Sequence, residues 1–227
     1  MLVKYWMSKK VITVKAGDSM DTAIKLMKEN HVKMLPVMKR DKLVGILTDR
    51  DLKKASASDA TSLDIHELLY LLTKIKISGI MSKNPIAVPE DFAIEETAGV
   101  LIENGISGVP VIDPKKGNIV GIITQSDIFR ALISLTGVGK GGIQFAFQID
   151  DRPGSIKELT DVIRRYGGRM TSILSSYEGT PEGIRKVYIR MRSIDRVSLH
   201  ELEEILQGMA KMLYMIDHRE NNRKIYS

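Results

Sequence analysis

An internal echo at a fixed offset constrains this chain more than any other feature. Met7-Ser8-Lys9 returns as Met81-Ser82-Lys83, Val14 as Val88, and Leu35-Pro36-Val37 as Val109-Pro110-Val111, each 74 positions later. Gly45-Ile46-Leu47-Thr48-Asp49-Arg50-Asp51 returns as Gly121-Ile122-Ile123-Thr124-Gln125-Ser126-Asp127, 76 positions later, which puts a two-residue insertion in the Asp113-to-Asn118 turn. Self-similarity at one period marks a duplicated structural unit. Each copy reads as an extended lead-in, a helix (roughly 20–30 and 94–104), a Pro-containing strand, a turn, a second strand and a second helix.

Both seven-residue stretches carry an apolar run past a glycine and stop it at Thr-x-x-Asp, with a helical pattern from Leu52 and from Ile128. This predicts a strand, a tight exit and a helix start, with the threonine or the aspartate near the N-cap. A helix start presents unpaired N–H groups and a positive dipole end, which suit a phosphate or a hydroxyl-rich ligand. A capping box at a strand-to-helix turn explains the same residues without a ligand.

With its Met-Ser lead-in, mid-repeat Pro-Val and Gly-x-x-Thr-x-x-Asp in order, residues 1–136 resemble a tandem pair of CBS domains, the Bateman module. The resemblance implies two β-α-β-β-α units packed sheet to sheet, whose clefts hold AMP, ADP, ATP or S-adenosylmethionine as a regulatory ligand. It gives the ribose hydroxyls to Asp51 and Asp127, and a ribose or phosphate oxygen to Thr48 and Thr124. The chemistry agrees: a carboxylate only accepts and suits two vicinal hydroxyl donors, while a threonine hydroxyl donates and accepts. The family pattern places the thin apolar slot for adenine at Ile12, Val32 and Lys33 and at Ile86, Ile106 and Ser107. Lys33 adds charge for a phosphate. Arg50 reads as a solvated helix-end charge, and Ser126 replaces it in the second copy, so the two clefts need not bind equally.

The chain is 227 residues long, enough for two compact domains with cores of their own. It has no cysteine, which excludes a disulfide framework, thiol catalysis and Cys-based zinc sites. No apolar run has signal-peptide or membrane-spanning length, so a cytoplasmic protein without membrane contact is expected. The net charge of +6 divides evenly: 19 basic against 16 acidic residues over 1–139, and 15 against 12 over 140–227. Arg185, Lys186, Arg190 and Arg192 form the densest basic patch, with Arg190 and Arg192 expected on one strand face. A nucleic-acid-binding regulator is therefore a competing reading, but aromatic residues are sparse there and a solvated sheet face or dimer rim explains the patch. No partnership with nucleic acid is expected.

The expected divisions are CBS domain 1 at 1–55, an inter-repeat loop and helix at 56–77, and CBS domain 2 at 78–136. A linker at 137–142, a C-terminal domain at 143–218 and a tail at 219–227, frayed over 221–227, complete the chain. Ala55 to Ser62 reads as a small polar loop, and Leu63 to Leu72 as an apolar helix capped by Ser62 or Asp64. Gly137-Val138-Gly139-Lys140-Gly141-Gly142 is too glycine-rich for cheap regular structure, and Gly141 occupies the Ser/Thr position a P-loop needs. His31, His66, His200 and His218 have neither metal-ligand spacing nor readable catalytic neighbours, so no metal and no catalytic residue is expected.

The last third predicts strands at 143–149, 169–177, 184–192 and 210–217, with helices at 155–166 and 198–209, a ferredoxin-like β-α-β-β-α-β order. Asp151-Arg152-Pro153-Gly154-Ser155 supplies the specific clue: residues 142–218 resemble an ACT domain, whose Asp-x-Pro-Gly turn joins its first strand to its first helix. The resemblance implies dimerisation through the sheets and an amino-acid effector at Asp151, Pro153, Gly154 and Ser155. Physically, a glycine lets a ligand approach the backbone and the helix start faces its carboxylate. The turn is also a sound helix start by itself, with Asp151 as cap and Pro153 in the first turn.

The overall fold class is thus α+β: a CBS pair followed by a ferredoxin-like ACT domain, an order that resembles the small bacterial regulators of the acetoin-utilisation AcuB type. The implied function is non-catalytic: a sensor of an adenosine-containing ligand that is a homodimer through its CBS and ACT domains and regulates an unknown target protein. An oligomerisation scaffold with empty clefts is the alternative. An enzyme would need a nucleophile with its base, paired carboxylates or a metal cluster, and the motif aspartates stand alone.

Overall fold

The structure is a computed structural model that describes residues 1–59, 70 and 72–226. By its contacts the chain divides into Met1–Phe129 and Arg130–Ser227, and the division falls within one helix. The helix expected over 63–72, with its caps Ser62 or Asp64 and with His66, lies outside the described residues apart from Tyr70 and Leu72.

In the first unit the repeats fold alike. The first holds β1 (Val14–Lys15), α1 (Met20–Asn30), β2 (Met34–Lys39), β3 (Lys42–Thr48) and α2 (Asp49–Asp59). A short helix α3 (Ile77–Ile80) and β4 (Ser82–Lys83) lead into β5 (Val88–Pro89), α4 (Ile94–Glu103), β6 (Gly108–Ile112), β7 (Ile119–Thr124) and α5 (Gln125–Thr136). Helix α1 begins where Ser19 accepts from the Thr22 amide and ends on left-handed His31. The hairpin between β2 and β3 turns on Arg40 and Asp41, both at positive φ as a two-residue turn requires, whereas the second copy spends its extra residues in a longer loop. Val14, Met20, Ala23, Leu35, Val37, Leu47 and Ile77 bury the first repeat's core; Val88, Leu101, Val109, Val111 and Ile123 do the same for the second.

Two expectations need correction here. The second helix of each repeat starts at Asp49 and Gln125, directly after the threonine, three residues earlier than the apolar pattern indicated. Helix α2 also continues to Asp59, through residues expected to form a loop.

The second unit is a five-stranded antiparallel sheet with helices. Its elements are β8 (Ile143–Asp150), α6 (Ser155–Arg165), β9 (Arg169–Ser176), β10 (Ile184–Arg192), α7 (Arg196–Met209), β11 (Lys211–Asp217) and β12 (Asn222–Ile225). The strand order is β12-β11-β8-β10-β9. Ile143, Phe145 and Phe147 on β8 form one buried cluster with Val187 and Ile189 on β10, Leu159 and Ile163 on α6, and Leu202 and Leu206 on α7. Ala146 points the other way, yet it is also fully buried. Tyr188 and Tyr214 oppose it on the two neighbouring strands, with ring centroids 6.4 Å apart.

Three further readings change. The tail is not frayed: Asn222–Ile225 pairs with β11, and Lys224 Nζ and Tyr226 Oη both donate to the buried carboxylate of Glu203. Arg190 is not on a solvated face: it is 4% exposed beneath the glycine-rich stretch, while Arg192, two residues on along the strand, stays exposed. The glycine-rich stretch carries a 3-10 turn at Val138–Lys140 and is tied to the sheet. Arg190 donates to the carbonyls of Thr136 (2.8 Å) and Gly141 (3.4 Å), Ser172 Oγ donates to Thr136, and the His218 amide donates to Gly142. Only glycine fits at 142, where φ is +84° and a Cβ would lie 2.2 Å from the Met191 carbonyl oxygen.

Candidate functional site

In both copies of Thr-x-x-Asp the aspartate accepts from the amide and the hydroxyl of the threonine. In the first copy Asp51 Oδ2 accepts from the Thr48 amide (2.8 Å) and the Thr48 hydroxyl (2.7 Å), while the Asp51 amide donates back to Thr48 Oγ1 (3.3 Å). In the second, Asp127 Oδ2 accepts from the Thr124 amide and hydroxyl, both at 2.7 Å. Threonine is the N-cap and aspartate the third helical residue, a capping box in which two otherwise unpaired backbone donors are satisfied reciprocally. The surroundings differ: Asp127 is only 5% exposed, and Asp51 is half-buried.

The strand ends at the threonine, as the sequence suggested, and the glycine of each motif lies inside the strand. Gly45 pairs with Lys83 and Ile46 with Ser82, so the second repeat's lead-in joins the first repeat's sheet. Reciprocally, Ser8 and Ile122 exchange amide–carbonyl bonds of 2.9 and 3.0 Å. A Cβ on Gly45 would come within 2.5 Å of Met81 Sδ and 2.9 Å of the Ser82 carbonyl oxygen; on Gly121 it would come within 2.4 Å of Met7 Sδ and 3.0 Å of the Ser8 carbonyl oxygen. The repeated Met-Ser and the repeated glycine are therefore partners across the two repeats.

This exchange brings the start of α2 against residues of the second repeat and frames a cleft of about 500 Å³. Thr48, Asp51, Ile86, Ile106 and Ser107 line it, so five of the ten predicted nucleotide residues come together. Oδ2 of Asp51 is taken by Thr48, and Oδ1 accepts neither of those bonds. Ile12, Val32, Lys33, Thr124 and Asp127 are not in this lining. Lys33 instead gives its carbonyl to the Asp49 amide, as Ser107 does to the Gln125 amide. Sequence reasoning missed Lys83 and Gln125 and dismissed Arg50, all of which line the cleft. Lys83 could have been found, because it belongs to the repeated Met-Ser-Lys.

The CBS domain model matches residues 3–58 and 77–134. This chain belongs to the CBS domain family. A CBS domain-containing protein of Dictyostelium discoideum is 35% identical over 136 residues, 60% of this chain and 93% of that relative. Protein MJ1426 of Methanocaldococcus jannaschii is 30% identical over 156 residues, 59% of this chain and 92% of its own length. Among solved structures, the CBS domain pair of protein MJ0100, in complex with 5'-methylthioadenosine and S-adenosyl-L-methionine, is 34% identical with a TM-score of 0.50, covering 58% of this chain and 95% of that one. Among the described residues no helix is long and apolar enough to cross a membrane, and no group of His, Asp or Glu could hold a metal ion.

The second unit has a smaller cleft of about 200 Å³, lined by Gln148, Arg152, Ser155, Glu158 and Lys211 among others. Of the four residues expected to meet an effector, Ser155 lines it and Asp151, Pro153 and Gly154 do not. Nor does Asp151 cap the helix: it lies 3.3 Å from Arg185, and the N-cap is Gly154 at φ +90°. Arg152 instead clasps Glu158 with both terminal nitrogens (2.8 and 2.7 Å), which holds the Glu158 carboxyl below its usual range.

Proposed function

We propose that this CBS pair is a non-catalytic sensor that binds an adenosine-containing ligand in the Asp51 cleft. The observation that carries the reading is the convergence of Thr48 and Asp51 with Ile86, Ile106 and Ser107 on one cavity, an acceptor for vicinal hydroxyls beside an apolar slot. The solved CBS pair that holds 5'-methylthioadenosine and S-adenosyl-L-methionine supports it. Signalling then follows from differential affinity: a ligand that favours one arrangement of the repeats shifts the population toward it.

The C-terminal unit adds a β-α-β-β-α-β core in the strand order β11-β8-β10-β9, consistent with a ferredoxin-like ACT domain and with the AcuB-type arrangement. Its role in the proposal is dimerisation or amino-acid binding near Ser155. A second copy of the chain suits one more feature: Phe129, Leu132 and Ile133, spaced as one helix stripe, are 59%, 54% and 53% exposed. The same stripe favours the alternative of an assembly scaffold.

Thermal unfolding with AMP, ATP, 5'-methylthioadenosine and S-adenosylmethionine separates the two. A ligand at a hundred times its Kd adds about 2.7 kcal/mol to stability. Asp51→Ala is expected to abolish that gain, while Asp127→Ala retains part of it. Absence of a gain with every compound leaves the scaffold.

A further inference from the structure

The charges around the Asp51 cleft carry the reading further, to the ligand's class. Four charged side chains line it: Asp49, Arg50, Asp51 and Lys83. Both acids have partners within the protein, although Oδ1 of Asp51 accepts neither Thr48 bond and stays open to a ribose. Asp49 pairs with Lys53 at 3.4 Å across one helical turn, and Asp51 receives both donors of Thr48 through one oxygen. The two bases differ: among the described residues neither Arg50 nor Lys83 takes part in an ion pair, and both are exposed. The first turn of α2 adds its positive dipole end at the same place.

On the basis that this cleft binds an adenosine compound, we infer that it selects one bearing phosphate, with Arg50 and Lys83 as specificity-determining residues facing that group. S-adenosylmethionine brings a sulfonium and an ammonium against a single carboxylate, so two unpaired cations work against it. Adenosine monophosphate brings two negative charges near neutral pH and acceptor oxygens for both side chains. Guanidinium and ammonium bonds to phosphate are charge-assisted and stronger than neutral ones. The two copies of the motif differ at this position, since Ser126 stands where Arg50 does. Arg50 is exposed and outside the capping box, so its replacement leaves the helix start intact.

Calorimetric titration of the whole chain with adenosine, AMP and S-adenosylmethionine tests this. The wild type is expected to bind AMP at least about tenfold tighter than either other compound. Arg50→Ser, which gives the first motif the residue of the second, and Lys83→Ala should each bring the AMP-to-adenosine ratio toward one. The wild-type ratio should also shrink as salt is raised, because both cations are at the surface. Equal binding of adenosine and AMP, tighter binding of S-adenosylmethionine, or a ratio that survives both substitutions overturns the inference and leaves the adenosine reading standing if Asp51→Ala still abolishes binding. Failure of every adenosine compound to bind overturns both.

Discussion

The two units of this chain handle charge in opposite ways. In the CBS pair the buried side chains are mostly apolar, Asp127 apart, and two charges with no ion pair among the described residues, Arg50 and Lys83, stand at the rim of a cleft. In the C-terminal unit charges are taken inside and satisfied there. Glu203 is held by Lys224 and Tyr226, Asp217 by Arg196 and Arg219, and Arg190 by two carbonyls and the Gln144 side chain at 2.7 Å. A buried charge is tolerated only when it is paired or hydrogen-bonded, and it then fixes one arrangement of its neighbours. A charge at a cleft rim keeps its capacity for an incoming partner. On the proposed reading the first unit is the one equipped to respond to a ligand, while the second holds its buried charges in fixed pairs.

Breaking the framework should cost most. Glu203→Ala strands Tyr226 Oη, whose proton burial and Glu203 together hold well above the usual phenol range, and frees Lys224. It should destabilise the C-terminal unit by about 2 kcal/mol and expose the amides of β11 and β12 to hydrogen exchange, with the Asp51 cleft unaffected. Ligand affinity that falls in step with that exchange would erase the contrast between the units.

Gly45→Ala should cost somewhat less, about 1.5 kcal/mol, because Met81 Sδ can move aside and the Ser82 carbonyl, part of a paired ladder, cannot do so freely. Since β4 also frames the cleft, this substitution should weaken ligand binding, where Glu203→Ala should not. Urea unfolding with and without ligand measures both effects.

The smallest effect concerns pH. Burial, then the neighbouring charges of Arg190 and Arg223, pushes the His218 imidazole below its ordinary value of 6.5, and its Nε2 is buried without a partner. The unfolded chain therefore binds the proton better than the folded one. This histidine's stabilising contribution is whole above pH 6.5, declines as pH falls through that value and levels off below the folded pKa. His218→Gln should flatten the stability profile of the C-terminal unit in that window by less than about 1 kcal/mol.

The resemblance to CBS domains supplied the five cleft residues Thr48, Asp51, Ile86, Ile106 and Ser107, whereas residue spacing alone was enough for the duplicated unit and its order of strands and helices. That unit and that order are written in local periodicity and in a repeat, which need no knowledge of distant contacts. Why each motif carries a glycine was not legible, because its reason lies 36 residues ahead of Gly45 in Met81 and 114 behind Gly121 in Met7. The same holds for Arg190, Glu203 and the tail, which look like surface residues until strand pairing closes over them. The sequence by itself determined the elements and their repetition, through hydrophobic spacing and helix-start chemistry. Tertiary structure decided which polar groups end up without water, because desolvation depends on what lies across the sheet and not on what lies beside it in the chain.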